Sequence, residues 1–362
     1  MFLFITCQVG SERVLKGEIS ELYHFNSAFS RPGFVTFKVA DELYSQDTIR
    51  LVMSDLVSNS VFARTVSIYL GKLPAENLVE SVWQLVAQHQ HQYFINRVHV
   101  FERDHFMPGQ NGFEPSVSAE LVELHGKLVS GNPLPKFLGV GSERFDQPAV
   151  LGETVLDVVR VDVDLYFVGV HFVGVNFAKD DVPVHVLYSG GIVPISLPKD
   201  AVSRAWLKFE EGLSWSGIRV EAGSCCVDIG AAPGGGSQVL LSRGAKVLGV
   251  DPAEIAPVVL RNPNFKHIRG RINQTQRSLY KNVRWVIADI NVAPKYTLDV
   301  LEDVLRYNSE IEGMLFTLKL SHLKIAKNIP QFVKRIRNWG FKNIKVKQLV
   351  FNRQEVMVAA KR

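Results

Sequence analysis

The amino-acid sequence predicts an α/β domain with a Rossmann-like parallel sheet over residues 191–362, preceded by an α+β region over residues 1–190. Three observations predict it. In the second part short apolar runs alternate with helical stretches, the order of a sheet built from βα units. A glycine-rich turn there joins the first apolar run to a helix, and an aspartate closes the next run. In the first part strands and helices follow no regular βα repeat, and the sign of the charge changes between the two parts.

Val227–Asp251 reads VDIGAAPGGGSQVLLSRGAKVLGVD. Cys225–Ile229 is a short apolar run, Gln238–Leu241 has the character of an amphipathic helix start, and Lys246–Val250 is a second apolar run closed by Asp251. Strand, turn, helix, strand and acid in that order open a nucleotide-binding α/β domain. Gly230, Gly234 and Gly235 let the backbone turn sharply and approach a ligand, because they carry no side chain. Asp251 stands about twenty residues on, where such folds bind a ribose hydroxyl. The turn departs from two phosphate-binding patterns: G-x-G-x-x-G is broken by Ala232 and Pro233, and the Gly-Lys-Ser/Thr of a P-loop has no lysine here. A nucleoside without a pyrophosphate suits such a turn, and S-adenosylmethionine fits. The bland alternative is the same fold with a vestigial pocket.

At 362 residues the chain can bury two or three cores. Its 46% hydrophobic and 21% charged residues are those of a folded soluble protein. The opening MFLFITCQVG lacks a basic start and reads as a strand, not a signal peptide. Leu165–Phe177, the most apolar stretch, is interrupted by Gly169, His171, Gly174 and Asn176, so no membrane span is expected. Three cysteines make no disulfide framework, and Cys225 and Cys226 neighbour each other on an expected buried strand, which points to a reducing cytoplasm. Residues 1–190 carry 14 Lys and Arg against 22 Asp and Glu, a balance of −8, whereas residues 191–362 carry 27 against 14, or +13. A basic second half suits a polyanion, because each cation that meets a phosphate releases counterions; a solvated basic surface is the plainer reading.

Along the first part, Phe2–Val9 reads as a strand, Arg13–Leu22 as a helix and the alternating Gly33–Val39 as a strand. Leu43–Leu56 has helical spacing, Val61–Tyr69 reads as a strand, Ala75–Gln88 as a helix and Arg97–Phe101 as a strand. One or two small ferredoxin-like units would account for this order. Met107–Pro115 reads as a loop and Val117–Val129 as a helix; Val158–Asp164 and Tyr166–Phe177 form a strand pair. His89 and His91 lie two apart at a helix end without a cysteine or carboxylate cluster, so they are read as solvent-facing and no metal site is expected. Lys179–Pro198, with three prolines and two glycines, is read as the linker.

In the second part a helix starting near Asp200 would carry Lys208 at its middle, and a plain surface lysine is the alternative. Val283–Ile287 is a strand ending at Ala288-Asp289, Leu298–Tyr307 a helix, and Gly313–Leu320 a strand with Lys319 near its carboxyl end. Ile329–Trp339 is a helix with a basic face, and Ile344–Val350 and Glu355–Ala360 form a terminal antiparallel pair. Ligands of open α/β sheets lie beyond the carboxyl ends of the strands, so Asp251, Asp289 and Lys319 should converge on the pocket of Gly230–Gly235.

Six segments occur in the order SRAWLKFEEGL, DIGAAPGGGSQ, GVDP, WVIADI, FTLKL and RQEVMV. In this they resemble the FtsJ-type ribose 2′-O-methyltransferases, which use a Lys-Asp-Lys-Glu tetrad. The resemblance covers about half the chain, Ser203 to Arg362. The whole-chain layout is similar to the RlmM type of that family, which methylates a cytidine of 23S ribosomal RNA and carries an N-terminal THUMP region. RPGFVTFKV, SDLVSNSVFARTV and FVGVNFAKD resemble that THUMP-like, RNA-binding region. The resemblance implies that Lys208, Asp289, Lys319 and Glu355 form the tetrad. It implies that Ser203, Gly230, Ala232, Pro233, Gly234, Gly235, Asp251 and Asp289 contact S-adenosylmethionine, and that a cytoplasmic monomer acts on ribosomal RNA. There are two departures. Gly236 stands where relatives often have an aromatic residue, which would loosen packing around the donor's methionine part. Lys266–Asn273 holds no carboxylate for the adenine amino group; Arg271 takes that place, leaving backbone groups or Asn273 to hold adenine, or a weak donor affinity.

Methyl transfer from a sulfonium is an in-line displacement, and orientation can supply ~7–11 kcal/mol of its barrier. A lysine is a base only when neutral; two neighbouring lysines beside a sulfonium depress each other's pKa, while Asp289 and Glu355 act oppositely and orient them. Lys319 is the expected base, with Lys208 steering the 2′-oxygen. Two rivals stand: an amino-group methylase, disfavoured because Ala288-Asp289-Ile290-Asn291 replaces the Asn/Asp-Pro-Pro-Tyr/Phe strand end, and a non-catalytic RNA-binding or ribosome-assembly factor that retains the fold.

Overall fold

Leu3, Phe4 and Ile5 are wholly buried in β1 (Phe2–Thr6), which runs through the middle of the first sheet. The computed structural model describes residues 1–39, 45–107, 118–131, 145, 147–174 and 182–362. These fall into two compact units, Met1–Pro194 and Ile195–Arg362. After β1 the first unit continues through α1 (Glu12–Tyr23), β2 (Asn26–Arg31), β3 (Phe34–Lys38), α2 (Gln46–Asn59) and β4 (Thr65–Pro74). It then runs through α3 (Leu78–Gln88), β5 (Arg97–Glu102), α4 (Ala119–Ser130), β6 (Thr154–Asp162) and β7 (Leu165–Phe172).

The seven strands lie in the order β2-β3-β1-β4-β7-β6-β5, all neighbours antiparallel except β5 and β6. The first four strands with α1 and α2 make one ferredoxin-like βαββαβ unit. Among the described residues no second one forms. β7 pairs with β4, Ile68 opposite Val170, so the rest of the unit extends the same sheet. Phe4, Phe34 and Phe167 pack one face, the first two rings stacked at 5.5 Å. Ser45 and Ser118 cap α2 and α4 by accepting the N–H of Thr48 and Leu121.

Several expectations shift. The strand expected from Val61 begins at Thr65, because Glu18 takes the N–H of Val61 at 2.7 Å and the hydroxyl of Ser60 at 2.6 Å and holds a turn there. Asn26–Arg31 is polar and mostly exposed at the sheet edge, so alternation did not reveal β2. The start of the helix expected at Leu43, nearly all of the Met107–Pro115 loop, the residue Val117, and residues 175–181 lie outside the described residues. From residue 182 the expected linker is packed into the first unit: Val184–Leu187 and Ser189–Gly191 are 3₁₀ turns, His185 is buried, and the Ser189 hydroxyl donates to the Val100 carbonyl at 2.9 Å. His89 is half-buried, its Nδ1 3.0 Å from the Leu85 carbonyl, and His91 is exposed.

The second unit comprises α5 (Ala205–Ser216), β8 (Cys225–Ile229), α6 (Gly235–Leu241), β9 (Lys246–Asp251), α7 (Pro257–Leu260) and β10 (Phe265–Arg269). It continues with β11 (Trp285–Ala288), α8 (Pro294–Leu305), β12 (Gly313–Lys319), α9 (Ile329–Asn338), β13 (Asn343–Lys347) and β14 (Glu355–Lys361). Its sheet runs β10-β9-β8-β11-β12-β14-β13, parallel from β10 to β12, with β14 antiparallel to both its neighbours. The strand order reverses between β8 and β11, the switch point where such sheets bind ligands. α5 starts at Ala205, not near Asp200, so Lys208 sits in its first turn. Gln238 is the reason: its side chain takes the Val202 N–H at 2.8 Å and donates to the Asp200 carbonyl at 2.9 Å, holding 200–202 out of the helix. Among the described residues no helix is long and apolar enough to cross a membrane.

Truncating the stacked ring in Phe4→Ala should destabilise the first unit by about 3–5 kcal/mol, read from its denaturant midpoint. A loss below about 1 kcal/mol would show that this face is not its core.

Candidate active site

The carboxyl ends of the parallel strands bring together residues that lie far apart in the chain. β8 ends just before Gly230, β9 at Asp251, β11 just before Asp289 and β12 at Lys319. Because β14 is antiparallel, its first residue stands at the same edge, and Glu355 pairs directly with Lys319. Lys208 enters from the first turn of α5.

Lys208, Asp289, Lys319 and Glu355 close into a ring. Lys208 Nζ lies 2.9 Å from Asp289 Oδ2 and 2.9 Å from Glu355 Oε1. Lys319 Nζ lies 2.6 Å from the other Asp289 oxygen and donates to the other Glu355 oxygen. Each carboxylate thus bridges both ammonium groups, and the ring carries no net charge. Glu355 is only 2% exposed. Removing these charges from water would be prohibitive without mutual pairing. Burial works against the charge on Lys208, but Glu355 and Asp289 outweigh it and hold its pKa above the ordinary lysine value. Burial likewise opposes ionisation of Asp289, and Lys208 and Lys319 overcome it, holding that carboxyl well below the usual range. The mutual depression expected for the lysines therefore loses to the carboxylates at Lys208.

Residues without a clear sequence signal hold the ring in place. Thr317 donates its hydroxyl to Asp289 Oδ1 at 2.7 Å, and the Asn352 amide donates to Glu355 Oε1 at 2.9 Å. Glu211, one turn beyond Lys208, reads in sequence as polar flank yet is 3% exposed. Its two oxygens accept the N–H groups of Val350 and Phe351, each at 2.9 Å, tying the Lys208 helix to the turn that leads into Glu355. The spacing of Glu211 three residues after Lys208 is the one trace it leaves in the sequence.

The glycine-rich turn runs beside Asp289. Gly230 has φ 79° and its missing Cβ would lie 3.1 Å from the Asp289 carbonyl oxygen. A Cβ on Gly235 would fall 2.2 Å from Ser203 Oγ, which is buried and, among the described residues, meets no hydrogen-bond partner. Asp251 accepts the N–H of Ala232 at 3.0 Å and of Ala253 at 2.7 Å, one on each oxygen; the second lone pair of each remains for a hydroxyl donor. A backbone cradle, an unsatisfied buried hydroxyl and an acceptor at the strand end fit a nucleoside donor. Gly236 does not loosen this wall: a Cβ there would come within 2.8 Å of the Phe209 ring, so glycine lets α6 close on α5. Beneath the turn, burial pushes the Asp228 carboxyl up to about 7 despite the Ser237 hydroxyl bonded to it at 2.7 Å, and the charge of Asp289 adds to the rise. After β10, Arg271 is exposed at the start of a 3₁₀ turn with its N–H on the Gln274 side chain, and Asn273 is exposed too.

The signs of these shifts set a pH dependence. Asp289, depressed, contributes stability above the ordinary carboxylate value of about 4, lost as pH falls toward its folded value; Lys208, raised, contributes below about 10.4, lost as pH climbs beyond. The gap in urea midpoint between the native chain and Asp289→Asn should therefore be wide at about pH 7 and narrow at about pH 3. A gap that widens on acidification would contradict the ring's electrostatics.

Comparison with known proteins adds a family. A family model described as FtsJ-like methyltransferase matches residues 201–350. The chain is 25% identical over 382 residues to the Ribosomal RNA large subunit methyltransferase M of Tolumonas auensis, covering 98% of this chain and 94% of that protein. It is 24% identical over 389 residues to the protein of that name from Pectobacterium carotovorum subsp. carotovorum, covering 99% and 96%. Over 182 residues it is 32% identical to that of Aeromonas salmonicida, covering 46% of this chain and 49% of that protein. The chain thus carries an FtsJ-like methyltransferase domain and is related along nearly its whole length to proteins named Ribosomal RNA large subunit methyltransferase M.

Proposed function

We propose that this protein transfers a methyl group from S-adenosylmethionine to the 2′-oxygen of a ribose in large-subunit ribosomal RNA, with a cytidine of 23S RNA as the target, and that it works as a cytoplasmic monomer. The observation that carries the reading is the ring of Lys208, Asp289, Lys319 and Glu355 closing beside the glycine-rich turn. The name of the relatives supplies the class of substrate. The basic second half, with 27 Lys and Arg against 14 Asp and Glu, suits its phosphates. The THUMP-like reading of the first unit makes that unit a second RNA-binding body.

When bound, the donor supplies a methyl carbon on a sulfonium. Ser203, Gly230, Ala232, Pro233, Gly234 and Gly235 would form its wall, and Asp251 would accept its ribose hydroxyls. The Asp289 carboxylate, shared by both lysines, fixes where they stand. Lys208 stays protonated, held so by its two carboxylates, and donates to the 2′-oxygen to set its direction of approach. Lys319 takes the proton of the 2′-hydroxyl on Nζ once it has released its own. A donor held by that wall would supply its methyl group to the 2′-oxygen so prepared and leave as the neutral thioether. A non-catalytic assembly factor would have no use for two ammonium groups and two carboxylates drawn together out of water.

Lys319→Ala should lower methyl transfer to ribosomal RNA by about 10²–10⁴-fold while leaving calorimetric donor affinity nearly unchanged. Asp251→Ala should do the reverse, weakening donor binding before turnover at saturating donor. Equal loss of both properties in folded Lys319→Ala protein would remove its catalytic role. A native chain that fails to bind S-adenosylmethionine would favour the assembly factor.

A further inference from the structure

Strands β5, β6 and β7 of the first unit put three metal-binding side chains on one face of the sheet. His99 stands opposite Asp157 in the parallel register of β5 and β6. On the other side Gly169 is the direct partner of Asp157, and His171 lies two residues on, a diagonal neighbour on the same face. The donor atoms of His99, Asp157 and His171 all lie within 4.8 Å of one another. His171 Nδ1 is 2.6 Å from Asp157 Oδ2, and His99 Nδ1 is 3.9 Å from Asp157 Oδ1. His99 and Asp157 are 3% and 1% exposed.

Three further observations concern this cluster. It lines a cavity of about 30 Å³ together with Arg64 and His185, room for an ion with a water molecule and too little for a nucleotide. Two of its members are already oriented: His171 Nε2 is 3.2 Å from the Val186 carbonyl, and the Ser67 hydroxyl donates at 2.6 Å to Asp157 Oδ2, the oxygen that faces His171 Nδ1. Ligand histidines and carboxylates are oriented by such partners in metal sites. The third member is not fixed in this way: among the described residues His99 Nε2 is buried and meets no hydrogen-bond partner, so no competing bond holds its ring.

We propose that His99, Asp157 and His171 bind one divalent transition-metal ion, zinc by the nature of the donors, with the cavity supplying a water as fourth ligand. Two imidazoles and a carboxylate are borderline donors that suit zinc, and bonds of about 2.0–2.2 Å in a tetrahedron place donor atoms about 3.3 Å apart. The 2.6 Å and 3.9 Å separations straddle that value, and the donor atoms, all within 4.8 Å of one another, close on it by side-chain rotation. The ion would join β5, β6 and β7 and, through the Val186 carbonyl, the turn at Val184–Leu187. It braces the first unit and takes no part in methyl transfer.

The test uses the full chain, stripped with a chelator, dialysed and titrated with zinc chloride, with bound metal counted after gel filtration. One zinc per chain and a raised melting temperature of the first unit are expected. In His99→Ala and in His171→Ala the affinity should fall at least tenfold. Cobalt loading of the native chain covers the case of variants that fail to fold: it should give the visible bands of a tetrahedral nitrogen and oxygen site without a thiolate charge-transfer band. No zinc retained by the native chain, full retention by a folded variant, or a thiolate band from Cys225 and Cys226 would each overturn the assignment.

Discussion

Two buried carboxylates, each shared by two ammonium groups, are the constraint on which the second unit depends. Both lysines hold Asp289 ionised against the cost of its burial, and the four charges leave water together because each acid pairs with both lysines. The pairing therefore dictates the fold around it. β11 must end beside β12 so that Asp289 meets Lys319, β14 must run antiparallel to β12 so that Glu355 begins where Lys319 ends, and α5 must start late enough to bring Lys208 in on its first turn. Gln238 and Glu211 enforce the last condition, one by holding the chain before α5 and the other by tying α5 to the turn before β14.

The same edge of the sheet carries the proposed donor wall. Gly230 approaches the Asp289 carbonyl and Gly235 approaches Ser203, so the turn and the ring share one residue and are built as one site. Orientation follows from this sharing. In the proposed reaction a methyl carbon held by the turn and an oxygen held by Lys208 would meet at a distance set largely by the backbone that places both. The first unit has a different logic: a single sheet with an aromatic face, closed over at one end by the turns of residues 184–191.

Much of the second unit was legible because parallel strands buried on both faces read as apolar runs, and functional residues of such folds gather where those runs end. Asp251, Asp289 and Lys319 could be placed on that basis alone; Lys208 and Glu355 needed the family resemblance, since neither a first-turn lysine nor a glutamate opening an antiparallel strand stands out by pattern. Glu211, Thr317 and Asn352 were not legible, because an acid beside a charged helix residue and a threonine on a strand look the same whether buried or exposed. The start of α5 was misplaced by a side chain, Gln238, some 36 positions away from the segment it holds. In the first unit β2 is a polar edge strand that no alternation marks, and the continuation of one sheet through β4 and β7 cannot be read from element order. His99, Asp157 and His171 sit on three strands and share a site only through register.

The central claim is that the ring acts on a ribose oxygen, and one measurement meets it directly. Unmodified large-subunit ribosomal RNA is incubated with the protein and methyl-labelled S-adenosylmethionine, then hydrolysed in alkali. A methylated 2′-oxygen cannot attack its own phosphate, so the account predicts label in a single alkali-resistant dinucleotide. Label released in mononucleotides carrying a methylated base, or no label transferred at all by protein that binds the donor, would contradict it.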